Sequence, residues 1–164
     1  MKTALIVIDV QNGFAVENAE RLPKKIVKHL ENENYNYVLF TQSINDPESN
    51  FHKILNWKKG VDGDFIEIHP LLRPYLTESN TFKKNSYSAF KSQDLVKFLQ
   101  DKNVEKIFLC GINTDACVLA SAFEAFDLGY NFDIIDELCS VSSFRQDYID
   151  SANTIITRNL RRKN

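Results

Sequence analysis

A chain of 164 residues with 43% hydrophobic and 26% charged content has the composition of an ordinary soluble globular protein. Its net charge of −2 gives no reason to expect nucleic acid or an anionic membrane as a partner. The length is most simply one domain, residues 1–164, burying about two thirds of the surface of its unfolded chain.

No stretch approaches the roughly 20 apolar residues of a membrane span. The first apolar run is broken at once by Asp9 and Gln11, so nothing reads as a secretion signal. Three cysteines without CxxC spacing argue for reduced thiols in a cytoplasmic setting, and against zinc or a disulfide framework. The basic cluster Arg158 to Lys163 ends a helical pattern and reads as a solvated tail.

Thr3 to Val10 is a near-continuous β-branched run, as found in strands buried on both faces of a parallel sheet. Leu22, Ile26, Val27 and Leu30 recur at helical spacing, with Pro23 tolerated in the first turn. Tyr37 to Thr41 is a second buried strand. A long irregular connection follows, carrying Asn45, Phe51, Trp57, Gly60 and Gly63. Phe65 to Ile68 reads as a short strand, Leu71 to Leu76 as a short helix, and Thr81 to Lys83 as another strand.

Ser92 is placed to cap a helix bearing Leu95, Phe98 and Leu99 on one face. Ile107 to Cys110 is a further strand, turned by Gly111 and Asn113-Thr114-Asp115 into a helix that opens near Ala116 and stops at Gly129. Phe132 to Ile135 forms a strand ending at Asp136-Glu137, and Tyr148 to Leu160 a last amphipathic helix. Strands alternating with helices imply right-handed crossovers. The expected fold is therefore α/β: a doubly wound, Rossmann-like, mostly parallel sheet with helices on both faces.

In such a sheet, functional groups gather at the carboxyl ends of the strands. Asp9, Lys84 and Cys117 all fall there or just beyond. Each alone has a bland reading, as a turn residue, a surface cation and a core thiol. Cys110 fits that last reading, and Cys139, in an apparent polar loop, is taken as incidental. Cys117 differs because the first turn of a helix and a nearby Lys84 would lower its thiol pKa from about 8.5 toward neutrality. Free N–H groups of that turn would hold an oxyanion, and Asp9 would take the thiol proton and later activate water.

Three blocks occur in order: ALIVIDVQNGF from Ala4, KNSYSAF from Lys84, and CGINTDACVLASAFEAFDLGY from Cys110. With them the chain resembles the isochorismatase-like cysteine hydrolases, which include the nicotinamidases. The resemblance implies the same doubly wound fold, with Cys117 as nucleophile, Asp9 as base and Lys84 as cationic partner. Lys83 is the neighbouring alternative, but Lys84 has the family's spacing to Tyr87. It implies a cis peptide at Ile112–Asn113, an oxyanion hole from the Asn113 and Cys117 amides, and Phe14 and Trp57 as pocket walls.

The family's metal-binding members carry an Asp-x-His pair after the second strand, where this chain reads Thr41 to Pro47. His29, His52 and His69 lack ligand spacing, so neither metal nor cofactor is expected. The implied activity is cleavage of an amide-type C–N bond of a small molecule. Vinyl-ether hydrolysis of the isochorismatase type and a catalytically silent binding module are the alternatives. A redox-sensing thiol lacks a resolving partner. Self-association is possible on the family's pattern, with no interface legible in the chain.

Overall fold

The computed structural model describes residues 1–161, so Arg162 and Lys163 of the basic tail lie outside the described residues. Five strands form one sheet: β1 (Thr3–Ile8), β2 (Tyr37–Ser43), β3 (Thr81–Lys84), β4 (Lys106–Ile112) and β5 (Phe132–Ser140). Their order is β3-β2-β1-β4-β5, and every neighbouring pair is parallel. The chain winds outward from β1 through β2 to β3, then returns to lay β4 on the other flank of β1. The winding reverses between β1 and β4, where the carboxyl ends of an open sheet leave a crevice. The sheet is doubly wound and parallel, as the alternating pattern predicts.

The helices are α1 (Leu22–Asn32), α2 (Asn50–Lys53), α3 (Gln93–Asp101), α4 (Leu119–Asp127) and α5 (Gln146–Leu160). Side chains of a strand alternate between faces, and β1 feeds two cores in this way. Ala4, Ile6 and Ile8 meet Leu95 and Leu99 of α3, Ala122 of α4 and Ile156 of α5. Leu5 and Val7 meet Leu22 and Ile26 of α1 and Leu72 on the opposite face. No β1 residue from Ala4 to Ile8 is more than 1% exposed. This explains why the sequence there is apolar without alternation. Gly129, at φ 76°, follows α4, and the Gly129 and Tyr130 N–H groups donate to the Phe126 and Ala125 carbonyls.

Several expectations shift. β1 stops at Ile8, because Asp9 turns out of the strand at φ 51°. Phe65–Ile68 is not a strand: Gly63–Ile66 is a 3₁₀ turn, and only Ile68 bridges, antiparallel, to Gln11. The Phe65 ring packs against Phe14 and Trp57 rather than on the sheet. The segment Pro70–Tyr75 is 3₁₀, and Pro74 inside it lacks the N–H that an α-helix would need. β5 runs past Asp136 and Glu137 to Ser140; on an edge strand both carboxylates stay exposed, and Asp136 accepts from Arg161. Cys139 therefore lies in a strand, against both cores, and not in a polar loop. Ser92 holds the N-cap position of α3 without a side-chain cap bond.

Candidate active site

Four strand ends converge on one carboxylate. Asp9 leaves β1 in the left-handed region, where aspartate is better tolerated than most residues. Thr41, near the end of β2, fixes it twice. The Thr41 hydroxyl donates to Asp9 Oδ1 at 2.6 Å, and its oxygen accepts from the Asp9 N–H at 3.2 Å. Lys84 ends the edge strand β3, two strands away from β1. Its long side chain reaches back over the end of β2 to bring Nζ within 2.7 Å of Asp9 Oδ2. The same ammonium donates to the Ser86 carbonyl at 2.7 Å and to Cys117 Sγ at 3.7 Å. The ammonium thus makes two hydrogen bonds and one close ion pair, with the Lys84 and Asp9 side chains 0% and 1% exposed.

The thiol comes from the bend after β4. Gly111 has φ 129°, and a Cβ there would lie 2.1 Å from the Ile8 carbonyl oxygen, so only glycine lets β4 approach β1 this closely. The Ile112–Asn113 peptide is cis. Thr114–Val118 then forms a π-helical turn ahead of α4, where the sequence predicts the opening of an ordinary α-helix. The Ala116 and Val118 N–H groups donate to the Asn113 carbonyl, each at 3.1 Å, while the Cys117 N–H between them does not. The end of β5 pins the bend. The Ser142 N–H donates to Asn113 Oδ1 at 2.6 Å, and the Thr114 hydroxyl donates to the Ser140 carbonyl at 3.1 Å.

The protonation pattern corrects one expectation. Burial, reinforced by the Asp9 carboxylate, pushes the Cys117 thiol up to about 12, and the Lys84 cation opposes this without overcoming it. Burial alone would lower the Lys84 ammonium, but Asp9 and the thiol outweigh it and hold the group above its ordinary value. The resting site is therefore a neutral thiol beside a carboxylate–ammonium pair, not the preformed thiolate that a helix terminus and a cation suggest. Asp9 Oδ2, although 2.7 Å from Nζ, receives no well-aligned hydrogen bond. That oxygen keeps an open acceptor position beside the Lys84 ammonium.

Cys117 faces a cavity of about 440 Å³. Phe14 and Trp57 line it, as do Phe51, Leu55 and Tyr87, which the sequence reading does not single out. The Phe14 and Trp57 rings stack at 6.1 Å and 23°, and the Phe51 ring sets its edge against Trp57 at 6.1 Å and Tyr87 at 4.8 Å. The wall is anchored from below. Asn45 Nδ2 donates to the Trp57 and Lys59 carbonyls at 2.7 and 2.8 Å, and the Ser49 hydroxyl donates to Asn45 Oδ1. Gln11 Nε2 donates to the Ser43 and Ile66 carbonyls at 3.0 and 2.8 Å.

The histidines are spread out. His29 pairs with the Tyr35 hydroxyl, and His69 Nδ1 accepts from the Leu71 N–H. His52 sits on α2. Among the described residues no three His, Cys, Asp or Glu side chains converge as metal ligands would.

Fold and site together define a doubly wound α/β protein whose crevice holds an ammonium in contact with both a carboxylate and a thiol. The Isochorismatase domain family matches residues 3–155, and the chain belongs to that family of hydrolases. It is 29% identical to an uncharacterized isochorismatase family protein, PncA, of Bacillus subtilis (strain 168), over 90% of each chain. It is also 29% identical to a nicotinamidase/pyrazinamidase of Mycobacterium tuberculosis, over 74% of this chain and 77% of that one. The crystal structure of nicotinamidase PncA from Bacillus subtilis superposes with a TM-score of 0.82 at 26% identity, covering 98% of this chain and 97% of that one. Among the described residues no helix is long and apolar enough to cross a membrane.

Proposed function

We propose that this isochorismatase-family hydrolase cleaves an amide-type C–N bond of a small molecule through a thioester on Cys117. The observation that carries the reading is that Cys117 both contacts the Asp9–Lys84 pair and faces the cavity. A substrate carbonyl in that cavity meets Sγ as Asp9 Oδ2 removes the thiol proton, and Lys84 holds the developing thiolate. Attack forms a C–S bond and an oxyanion, for which the Asn113 and Cys117 N–H groups are the donors. Collapse breaks the C–N bond, and the proton on Asp9 passes to the leaving amine. Asp9 then deprotonates a water, which attacks the thioester and returns the free thiol. The nicotinamidases among the relatives support amide chemistry over the vinyl-ether alternative.

The test is a screen of small amides read by ammonia release, with mass spectrometry of the enzyme during turnover. An acyl adduct is expected on Cys117, and Cys117→Ala is expected to lose about 10⁴-fold or more in kcat/KM. Turnover surviving in Cys117→Ala would refute the mechanism, and no turnover of any amide would favour a silent binding module.

A further inference from the structure

We infer that Ser121, in the first turn of α4, is a positioning residue for the nucleophile. Its hydroxyl locks the Cys117 turn to the loop after β3 and so keeps Sγ beside the Lys84 ammonium. The part played in turnover rests on the hydrolase reading, whereas the contact itself rests on hydrogen bonds alone. Ser121 is fully buried, where a hydroxyl needs partners. It has two. It donates to the Cys117 carbonyl at 2.6 Å and accepts from the Ala89 N–H at 2.9 Å. One oxygen thus joins the residue that carries the thiol to the loop that carries Lys84.

Followed the other way, that loop leads back to the ammonium. Ala89 opens a 3₁₀ turn, Ala89–Lys91, and the Ser88 hydroxyl holds its start by accepting from the Phe90 N–H at 3.1 Å. The Ser86 hydroxyl donates to the Ser88 carbonyl at 3.3 Å, and the Ser86 carbonyl accepts from Lys84 Nζ. Lys84 Nζ also donates to Cys117 Sγ, which closes a ring through Ser121. At 3.7 Å that last contact is the longest link of the ring, so a small shift on either side is enough to lose it. Cys117 sits in the π-helical turn, a rarely adopted conformation, and Ser121 holds the carbonyl on its C-terminal side. Fixing that peptide fixes the rotation about the Cα–C bond of Cys117, and with it the direction of Sγ. The two elements would stay adjacent without Ser121. Lys91 pairs with Glu124 at 2.6 Å, and Ala89 and Ala122 share one core. What Ser121 adds is a grip on the nucleophile's own backbone.

The experiment compares Ser121→Ala, Ser121→Thr and Lys91→Ala with wild type, at a temperature where far-ultraviolet ellipticity shows each folded. Alkylation of Cys117 by iodoacetamide is followed across pH by peptide mass spectrometry, and hydrolysis of benzamide by ammonia release. Ser121→Ala is expected to alkylate about tenfold more slowly at a given pH, with its profile displaced upward. The reason is that Lys84 alone lowers the thiol against burial and Asp9. Its kcat should fall about 10²-fold with KM within about twofold of wild type, since Ser121 is absent from the cavity lining. Ser121→Thr keeps a hydroxyl able to bond the carbonyl four residues back and should restore most of both. Lys91→Ala, which cuts the surface tie between the same elements, should change neither. If Ser121→Ala does not fold, Ser121→Val replaces it against Ser121→Thr, two side chains of like shape that differ in the hydroxyl. If the alkylation contrast holds but benzamide is not turned over, the positioning role stands and only the hydrolase reading is weakened. Wild-type alkylation and kcat in a merely less stable Ser121→Ala, or equal values with and without the hydroxyl, overturn the inference.

Discussion

The proposed reacting groups and the aromatic wall beside them are made by different means. Asp9, Thr41 and Lys84 lie at the ends of parallel strands and Cys117 in the turn beyond β4, and strand register sets the Thr41–Asp9 hydrogen bonds and the Lys84–Asp9 pair. The wall, from Phe51 to Phe65, contains no strand. Its shape comes from ring-on-ring contacts and from carbonyls held by Asn45 and Gln11. The sheet can hold charges at fixed distances because its core is continuous on both faces. The wall can change residue by residue without disturbing that core. Under the proposed mechanism, chemistry is tied to the fold, and the cavity wall to a segment that the fold merely supports.

Substitutions on the two sides should therefore fail differently. Lys84→Met strikes the sheet side hardest, leaving the Asp9 carboxylate buried without its cation. We expect a loss of about 3–5 kcal/mol in urea unfolding, together with a fall of about 10³-fold or more in turnover. Adding Asp9→Asn to Lys84→Met should recover much of the stability and none of the activity. Equal stability of Lys84→Met and wild type would break the contrast.

Gly111→Ala should cost about 3 kcal/mol, because the new Cβ meets the Ile8 carbonyl and the backbone stays at φ 129°. Its unfolding midpoint checks this. On the wall side, Asn45→Ala removes the donors to the Trp57 and Lys59 carbonyls. A smaller loss, about 1–3 kcal/mol, is expected, with KM raised about tenfold, kcat nearly unchanged and Trp57 emission shifted. A fall in kcat larger than the rise in KM would mean that wall and chemistry are not separable.

The last effect is one of pH and grows as pH rises. Cys117 and Cys139 are pushed up to about 12 and Cys110 well above its ordinary value, burial being the first cause in each. In the unfolded chain these thiols ionise near 8.5. Their contribution to stability is complete below that pH and is lost as pH climbs toward about 12, at up to about 1.4 kcal/mol per pH unit for each thiol. All three lie on the sheet side. Melting temperatures from pH 8 to 10.5 should fall, and Cys139→Ala should flatten the fall.

The sheet side was also the more legible in sequence. β-branched runs marked β1, β2 and β4, and the residues just past their ends supplied Asp9 and Cys117 before any resemblance was invoked. Lys84 was a strand-end candidate too, but only its spacing to Tyr87 chose it over Lys83, since nothing local says that a lysine on an edge strand will reach over β2 to β1. The π-helical turn was hidden because its residues read equally as α-helix; the Asn113 carbonyl, shared between the Ala116 and Val118 N–H groups, decides it. The thiol's high pKa was hidden for a similar reason, since the cation is adjacent but burial and Asp9 outweigh it. The wall was legible only as a density of rings. Phe51, Leu55 and Tyr87 gave no periodic signal, and Phe65 imitated a strand while serving as a prop for Trp57.

The place of Lys84 at the outer rim of the sheet has a last consequence. β3 is four residues long and has a single strand neighbour, so it is the strand with least to hold it against transient detachment. When it peels away, the ammonium leaves with it, and Asp9 and Cys117 lose their common partner although the rest of the sheet still stands. Under the proposed mechanism, turnover is then a gauge of whether that rim is closed. It should fade at urea concentrations where far-ultraviolet ellipticity still reports an intact protein.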